Sequence, residues 1–123
     1  MFKRLHHVAL HVTDVKSAVR FYTEVLGFQE IAAAPSAKSH PNVFVQLGEA
    51  LLELSHRDQE EAMSGFHLCF QPDDFNAAFA RLQAKGLPVL VSARPLNQGR
   101  PDEAGFQRAV FSGPHGELIE IRG

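Results

Sequence analysis

Two histidines and two glutamates stand at matching places along this chain. His7 opens the run His-Val-Ala-Leu-His-Val-Thr-Asp, and His67 opens His-Leu-Cys-Phe-Gln-Pro-Asp-Asp. Glu53 lies in Leu51-Leu52-Glu53-Leu54, and Glu120 in Leu118-Ile119-Glu120-Ile121. A carboxylate among such neighbours is costly to bury without a partner, and here the arrangement occurs twice. One histidine on a strand is usually a satisfied polar residue; the repetition is what singles these four out. Two imidazoles and two carboxylates form a mixed nitrogen and oxygen donor set suited to one first-row divalent ion. The two carboxylates also balance its 2+ charge. Four protein ligands leave positions open on an octahedral ion, as a catalytic metal requires. The expectation is therefore one ion per site (Ni, Zn, Co, Mn or Fe, which the donors do not separate), held by His7, Glu53, His67 and Glu120.

These residues belong to a repeat. At a constant offset of 60, His7 meets His67, Leu10 meets Phe70, Asp14 meets Asp74, Val15 meets Phe75 and Ala18 meets Ala78. Each copy reads as a strand, an acidic turn, an amphipathic helix and a glycine, Gly27 or Gly86. Each closes on Gly-Glu followed by an apolar run holding the glutamate. The separation from histidine to glutamate is 46 residues in the first copy and 53 in the second. The extra length fits the Pro/Gly/Asn-rich stretch 94–105, expected as a long loop.

Periodicity supplies the elements that must position the four residues. Strands are expected at 5–12, 28–33, 42–47 and 50–55, with a helix from Asp14 to Leu26 stopped by Gly27. The second copy predicts strands at 65–71, 88–92, 106–112 and 117–122, with a helix over 73–85. Segments 34–41 and 56–64 read as loops, the second joining the copies. The fold class is thus α+β, two tandem βαβββ units in a single domain spanning 1–123, unit one about 1–57 and unit two about 64–123. Side chains alternate across a strand, so His7 shares a face with Leu5, Ala9 and His11. The other face, with His6, Val8, Leu10 and Val12, suits packing on the helices. Glu120 likewise shares its face with Leu118 and Arg122, opposite Ile119 and Ile121. Every ligand candidate lies opposite the helix-packing face.

Bulk properties exclude several classes. Of 123 residues, 45% are hydrophobic and 21% charged, and the net charge is −2, which is ordinary for a globular domain and unlike a nucleic-acid binder. No apolar run reaches the length of a membrane span, and the opening Met-Phe-Lys-Arg-Leu-His-His lacks a signal-peptide core. One cysteine, Cys69, allows no intrachain disulfide and fits a reducing, cytoplasmic setting.

The opening His-Val-Ala-Leu-His-Val-x-Asp, with Phe21-Tyr22 and Val25-Leu26-Gly27-Phe28, resembles the first unit of the vicinal oxygen chelate superfamily, which includes glyoxalase I. His67, the acidic turn and helix after it, and Gly113-Pro114-His115-Gly116-x-x-Ile119-Glu120 resemble the second. Gly113 and His115 replace the acids of the usual Asp-Pro-Asp-Gly ending, a change that should leave the turn intact. The resemblance implies two βαβββ units in a half-open mixed β-barrel around a metal, and ligands that fall on His7, Glu53, His67 and Glu120. It further implies a homodimer, in keeping with strand edges that need covering. The implied activity is that of a metal-dependent lyase or isomerase of the glyoxalase type. A metal chelating vicinal oxygens polarises a carbonyl, Glu120 or Glu53 takes the proton alpha to it, and the developing charge is stabilised in place. The partner is then a small-molecule carbonyl substrate. Alternatives within the superfamily are a non-catalytic bleomycin-type binding protein, which needs no metal set, and a fosfomycin-type thiol transferase, in which the Glu53 position is not a ligand.

The resemblance to glyoxalase I departs where that enzyme contacts glutathione. His11 stands where an arginine is usual, and Arg57 where an asparagine is usual. Both are expected to bind substrate, and an efficient lactoylglutathione lyase is not expected. His6 is expected to be structural. His40, His56 and His115 are expected to be solvated, and Cys69 to be a small wall residue rather than a nucleophile. Phe44, Phe106 and Phe111 could form an apolar wall. Arg94, Arg100 and Arg108 flank the long loop, either solvated or receiving an anion.

Overall fold

A computed structural model describes residues 1–34, 41–61, 63 and 65–123. The expected loop at 34–41 and His40 fall largely outside the described residues. So do two positions of the expected loop at 56–64. Contacts divide the chain into two compact units, Met1–Glu61 and Ala62–Gly123.

The first unit runs β1 (Val8–Val12), α1 (Val15–Arg20), a π-helical turn (Phe21–Val25), β2 (Gln29–Ala34), β3 (Asn42–Leu47) and β4 (Ala50–His56). Its sheet has the order β1-β4-β3-β2, with β1 parallel to β4 and the other pairs antiparallel. The second unit runs β5 (His67–Phe70), α2 (Phe75–Ala84), β6 (Val89–Pro95), a 3-10 turn (Pro101–Glu103), β7 (Gln107–Ser112) and β8 (Leu118–Arg122). Its order, β5-β8-β7-β6, repeats the first. Each unit is βαβββ, and each is an open, mixed four-stranded sheet.

Local chemistry explains both helix starts. The Asp14 carboxylate accepts from Ser17 N at 2.9 Å, and Asp74 accepts from Ala77 N at 2.9 Å. Each satisfies a backbone donor that has no partner within the helix. Gly27 and Gly86, both at φ +82°, end the two helical segments in a conformation that costs a side-chain-bearing residue more. The continuous helix expected to Leu26 gives way after Arg20. There the Thr23 hydroxyl donates to Val19 O at 2.7 Å, and the ladder lengthens to Leu26 N→Phe21 O at 3.3 Å. A threonine bonding back to the preceding turn loosens a helix in this way.

Each unit buries the helix side of its sheet. Leu10, Val12, Ala18, Tyr22, Val45, Leu52 and Leu54 form the first core; Phe75, Leu82, Ala109, Phe111, Ile119 and Ile121 form the second. Burying one large apolar side chain is worth about 1.5–3 kcal/mol, which fixes which face of each strand turns inward. Three expectations change here. β1 begins at Val8, so His6 precedes the strand and is exposed rather than packed on the helix. β6 continues to Pro95, so the loop after it is shorter than expected. Phe111 is fully buried against Phe79, at 5.3 Å between ring centroids, and belongs to the core rather than to a cavity wall.

The turn 113–117 survives the loss of its usual acids for a visible reason. Glu117 is fully buried; its carboxylate accepts from His115 N at 3.2 Å and fills the space beside Gly113, where any β-carbon would overlap it. Gly113 N donates to Glu117 O at 2.8 Å, closing the turn. Burial pushes the Glu117 carboxyl above its usual range. His115 is half-buried here rather than solvated.

Candidate metal centre

The parallel pairing places histidine and glutamate together in both units by the same register. In the first, Ala9 of β1 is opposite Glu53 of β4; in the second, Cys69 of β5 is opposite Glu120 of β8. The histidine lies two residues before that position each time, His67 opening β5 and His7 immediately preceding β1. His7 Nε2 stands 3.1 Å from Glu53 Oε2, and His67 Nε2 stands 3.3 Å from Glu120 Oε2. Each pair is two donors, and among the described residues no three His, Cys, Asp or Glu side chains are gathered.

In both units the second carboxylate oxygen is committed to the protein. Glu53 Oε1 accepts from Asn42 Nδ2 at 2.6 Å. Glu120 Oε1 accepts from Arg108 Nε at 3.0 Å and from Arg122 Nε at 2.8 Å. Each glutamate therefore holds Oε1 fixed and turns Oε2 toward an imidazole nitrogen. Outer partners that orient a ligand in this way are a regular feature of metal sites, and the donor set fits a divalent ion. The environments differ, however. Asn42 is neutral, whereas two guanidiniums grip Glu120. Burial alone would raise the Glu120 carboxyl, but the hydrogen bonds from Arg122 and Arg108 outweigh it and hold it below its usual range.

Glu53 heads a polar chain within the first unit. Asn42 Oδ1 accepts from Ser55 Oγ at 3.1 Å, and Ser55 Oγ accepts from Arg57 Nη1 at 3.1 Å. Arg57 Nη2 then meets His11 Nε2 at 2.8 Å, and His11 Nδ1 lies 2.7 Å from Glu61 Oε2. Arg57 and His11, expected separately as substrate contacts, are thus joined. Alternation alone puts Ser55 on the Glu53 face, but Asn42, a short polar residue at a strand position, carries no signal until the β3-β4 register is known. The same holds for the grip of Arg108 and Arg122 on Glu120. Phe44 packs edge-on to His7, with 5.7 Å between ring centroids. His56 ends β4 and pairs with Asp58 at 3.1 Å. Burial, and then the Glu120 charge, pushes the Cys69 thiol up, so it is poorly suited to be a nucleophile.

Comparison with known proteins agrees with this architecture. A methylmalonyl-CoA epimerase of Homo sapiens is 35% identical over 99 residues, covering 71% of this chain. The match spans 56% of that protein, so this chain corresponds to little more than half its length. An ethylmalonyl-CoA/methylmalonyl-CoA epimerase of Cereibacter sphaeroides is 32% identical over 108 residues, covering 77% of this chain and 80% of that protein. Among solved structures, a mutant fosfomycin resistance protein, FosX, of Listeria monocytogenes, complexed with Mn(II) and 1S,2S-dihydroxypropylphosphonic acid, superposes with a TM-score of 0.74. It is 19% identical and covers 98% of this chain and 90% of that one, a likeness of fold. The family model of the Glyoxalase/Bleomycin resistance protein/Dioxygenase superfamily matches residues 4–121, and the chain belongs to that superfamily.

Proposed function

We propose that this protein is a metal-dependent isomerase or epimerase that removes the proton alpha to a carbonyl of a small substrate. One observation carries the reading: each unit repeats a histidine–glutamate pair in the same register, with the second carboxylate oxygen already occupied by the protein. His7, Glu53, His67 and Glu120 would together hold one divalent ion. When bound, the ion supplies a Lewis acid for the substrate carbonyl.

The chain's own residues divide the remaining work. Glu120, tied by two guanidiniums at Oε1, is an anchored anion that keeps its place and its charge. Glu53, whose Oε1 is tied only by a neutral amide, has the freedom to swing its Oε2 and take the proton. A positioned carboxylate of this kind contributes about 10²–10⁴ in rate. Asn42 orients that carboxylate, and the Ser55–Arg57–His11 chain behind it fixes Asn42. The two epimerase relatives favour reprotonation of the same carbon, with a proton delivered to the face opposite the one Glu53 deprotonates. The dimer implied by the family would cover the open strand edges, and sedimentation should give twice the chain mass.

Deuterium incorporation tests the reaction. Methylmalonyl-CoA in heavy water should lose its α-proton signal in the presence of metal-loaded protein. Glu53→Gln should slow the loss at least a hundredfold. Wild-type protein with bound metal that leaves the proton unexchanged in this and other 2-substituted thioesters would refute the reading and favour a binding protein of the same fold.

A further inference from the structure

The second unit carries a row of three arginines that the metal chemistry does not require. Arg94 of β6 is opposite Arg108 of β7, and Arg108 is opposite Arg122 of β8. Like charges directly opposite one another on neighbouring strands destabilise a sheet, so a row of three needs compensation. It is only partly supplied. Glu120 is shared between Arg108 and Arg122, and Glu103 Oε1 reaches Arg122 Nη1 at 3.3 Å. Among the described residues no acidic side chain pairs with Arg94, which is exposed. Three guanidiniums therefore face two carboxylates, and the shortfall lies at the Arg94 end.

The same three arginines line a cleft of about 430 Å³, together with the amide side chains of Asn97 and Gln98. That volume lies in the range of small-ligand sites, roughly 300–1,000 Å³. Every polar side chain named on its wall is a hydrogen-bond donor, and the arginines offer planar forks that match an oxyanion. Glu103, which is buried and accepts from Arg100 N at 2.7 Å through Oε2, is not among the residues lining the cleft.

We infer that this cleft is an oxyanion-binding site, built to receive a carboxylate or phosphate group of the substrate beside Glu120. Arg94 supplies the free fork. Arg108 and Arg122, already half-neutralised by Glu120, complete the rim and link the bound anion to the anchored carboxylate. The inference rests on the proposed function for the identity of the molecule that bears the anion, but not for the site itself.

Calorimetric titration of metal-stripped protein tests it, with malonate in one arm and inorganic phosphate in the other. Stripping removes any chelation of the probe by a bound ion. Saturable binding is expected in at least one arm, weaker at high salt because the site is open to water. A carboxylate source should favour malonate, and a phosphate source phosphate. Arg94→Ala, at an exposed position, should fold normally and lose about tenfold or more in affinity. Arg94→Lys should recover only part, since an ammonium keeps the charge without the fork. No saturable binding in either arm, or equal affinity in Arg94→Ala, would overturn the inference. Anion binding without proton exchange in the loaded protein would instead remove the proposed reaction and leave the cleft; exchange without anion binding would do the reverse.

Discussion

Glu120→Gln is expected to abolish most metal binding and to slow α-proton exchange by two orders of magnitude or more. The amide keeps the shape but removes the negative charge, and with it half of the carboxylate charge offered to a divalent ion. It also leaves Arg108 and Arg122 only a neutral amide oxygen in place of the charged acceptor that now takes 3.0 and 2.8 Å bonds from them. Breaking a buried pair by removing one partner costs about 3–5 kcal/mol. Both arginine side chains are partly exposed, at 23% and 31%, so water offsets much of that here. A loss nearer 1 kcal/mol is expected, leaving a folded protein to assay. The carboxyl is held below its usual range in the folded state, so the stability it adds is present at neutral pH. That stability drains away as pH falls below the ordinary carboxylate range and through the lowered value. The variant should therefore show a flatter acid limb in its stability profile. Undiminished exchange and metal content in a folded Glu120→Gln protein would contradict the role given to this residue.

Gly113→Ala should be strongly destabilising although it adds only one carbon. The new β-carbon would overlap the Glu117 carboxylate, which is fully buried and braced by the His115 amide. Overfilling a packed interior costs about 1–3 kcal/mol, and displacing a buried carboxyl from its hydrogen bond places this case at the upper end. Urea unfolding should show a lower midpoint with an unchanged slope. A Gly113→Ala/Glu117→Ala double variant should lose less than the two single losses added together, because the second change clears the space that the first needs. Strict additivity would show that the two side-chain positions do not compete. The effect should also reach Glu120, since β8, which carries it, begins directly after this turn.

What the amino-acid sequence alone reveals follows from how each feature is encoded. The His7–Glu53 and His67–Glu120 pairs are legible because alternation assigns faces and the 60-residue repeat makes the faces correspond. Strand and helix order is legible for the same reason, with Asp14 and Asp74 marking the helix starts. Register is not encoded locally. Asn42 beneath Glu53, and the Arg94–Arg108–Arg122 row, come from cross-strand pairing set by sheet assembly. The sequence shows these as scattered polar residues. The break after Arg20 depends on one hydroxyl, that of Thr23, choosing a backbone acceptor. Its helical periodicity is otherwise intact. At Gly113 the missing acid of the usual turn is visible in the sequence, but the carboxylate that takes up the room comes from Glu117, four residues on.

If one divalent ion is held by both histidine–glutamate pairs, as proposed, the protein should carry a countable metal. Protein purified without chelator, stripped, and then reloaded with Ni, Co, Zn or Mn should be analysed for metal after excess ion is removed. About one ion per chain is expected for the wild type, at ligand distances near 2.0–2.3 Å by X-ray absorption. His7→Ala and His67→Ala should each lose most of it, since each removes a donor from a different pair. Stoichiometric metal retained in the His7→Ala/His67→Ala double variant would rule out these four residues as the ligands.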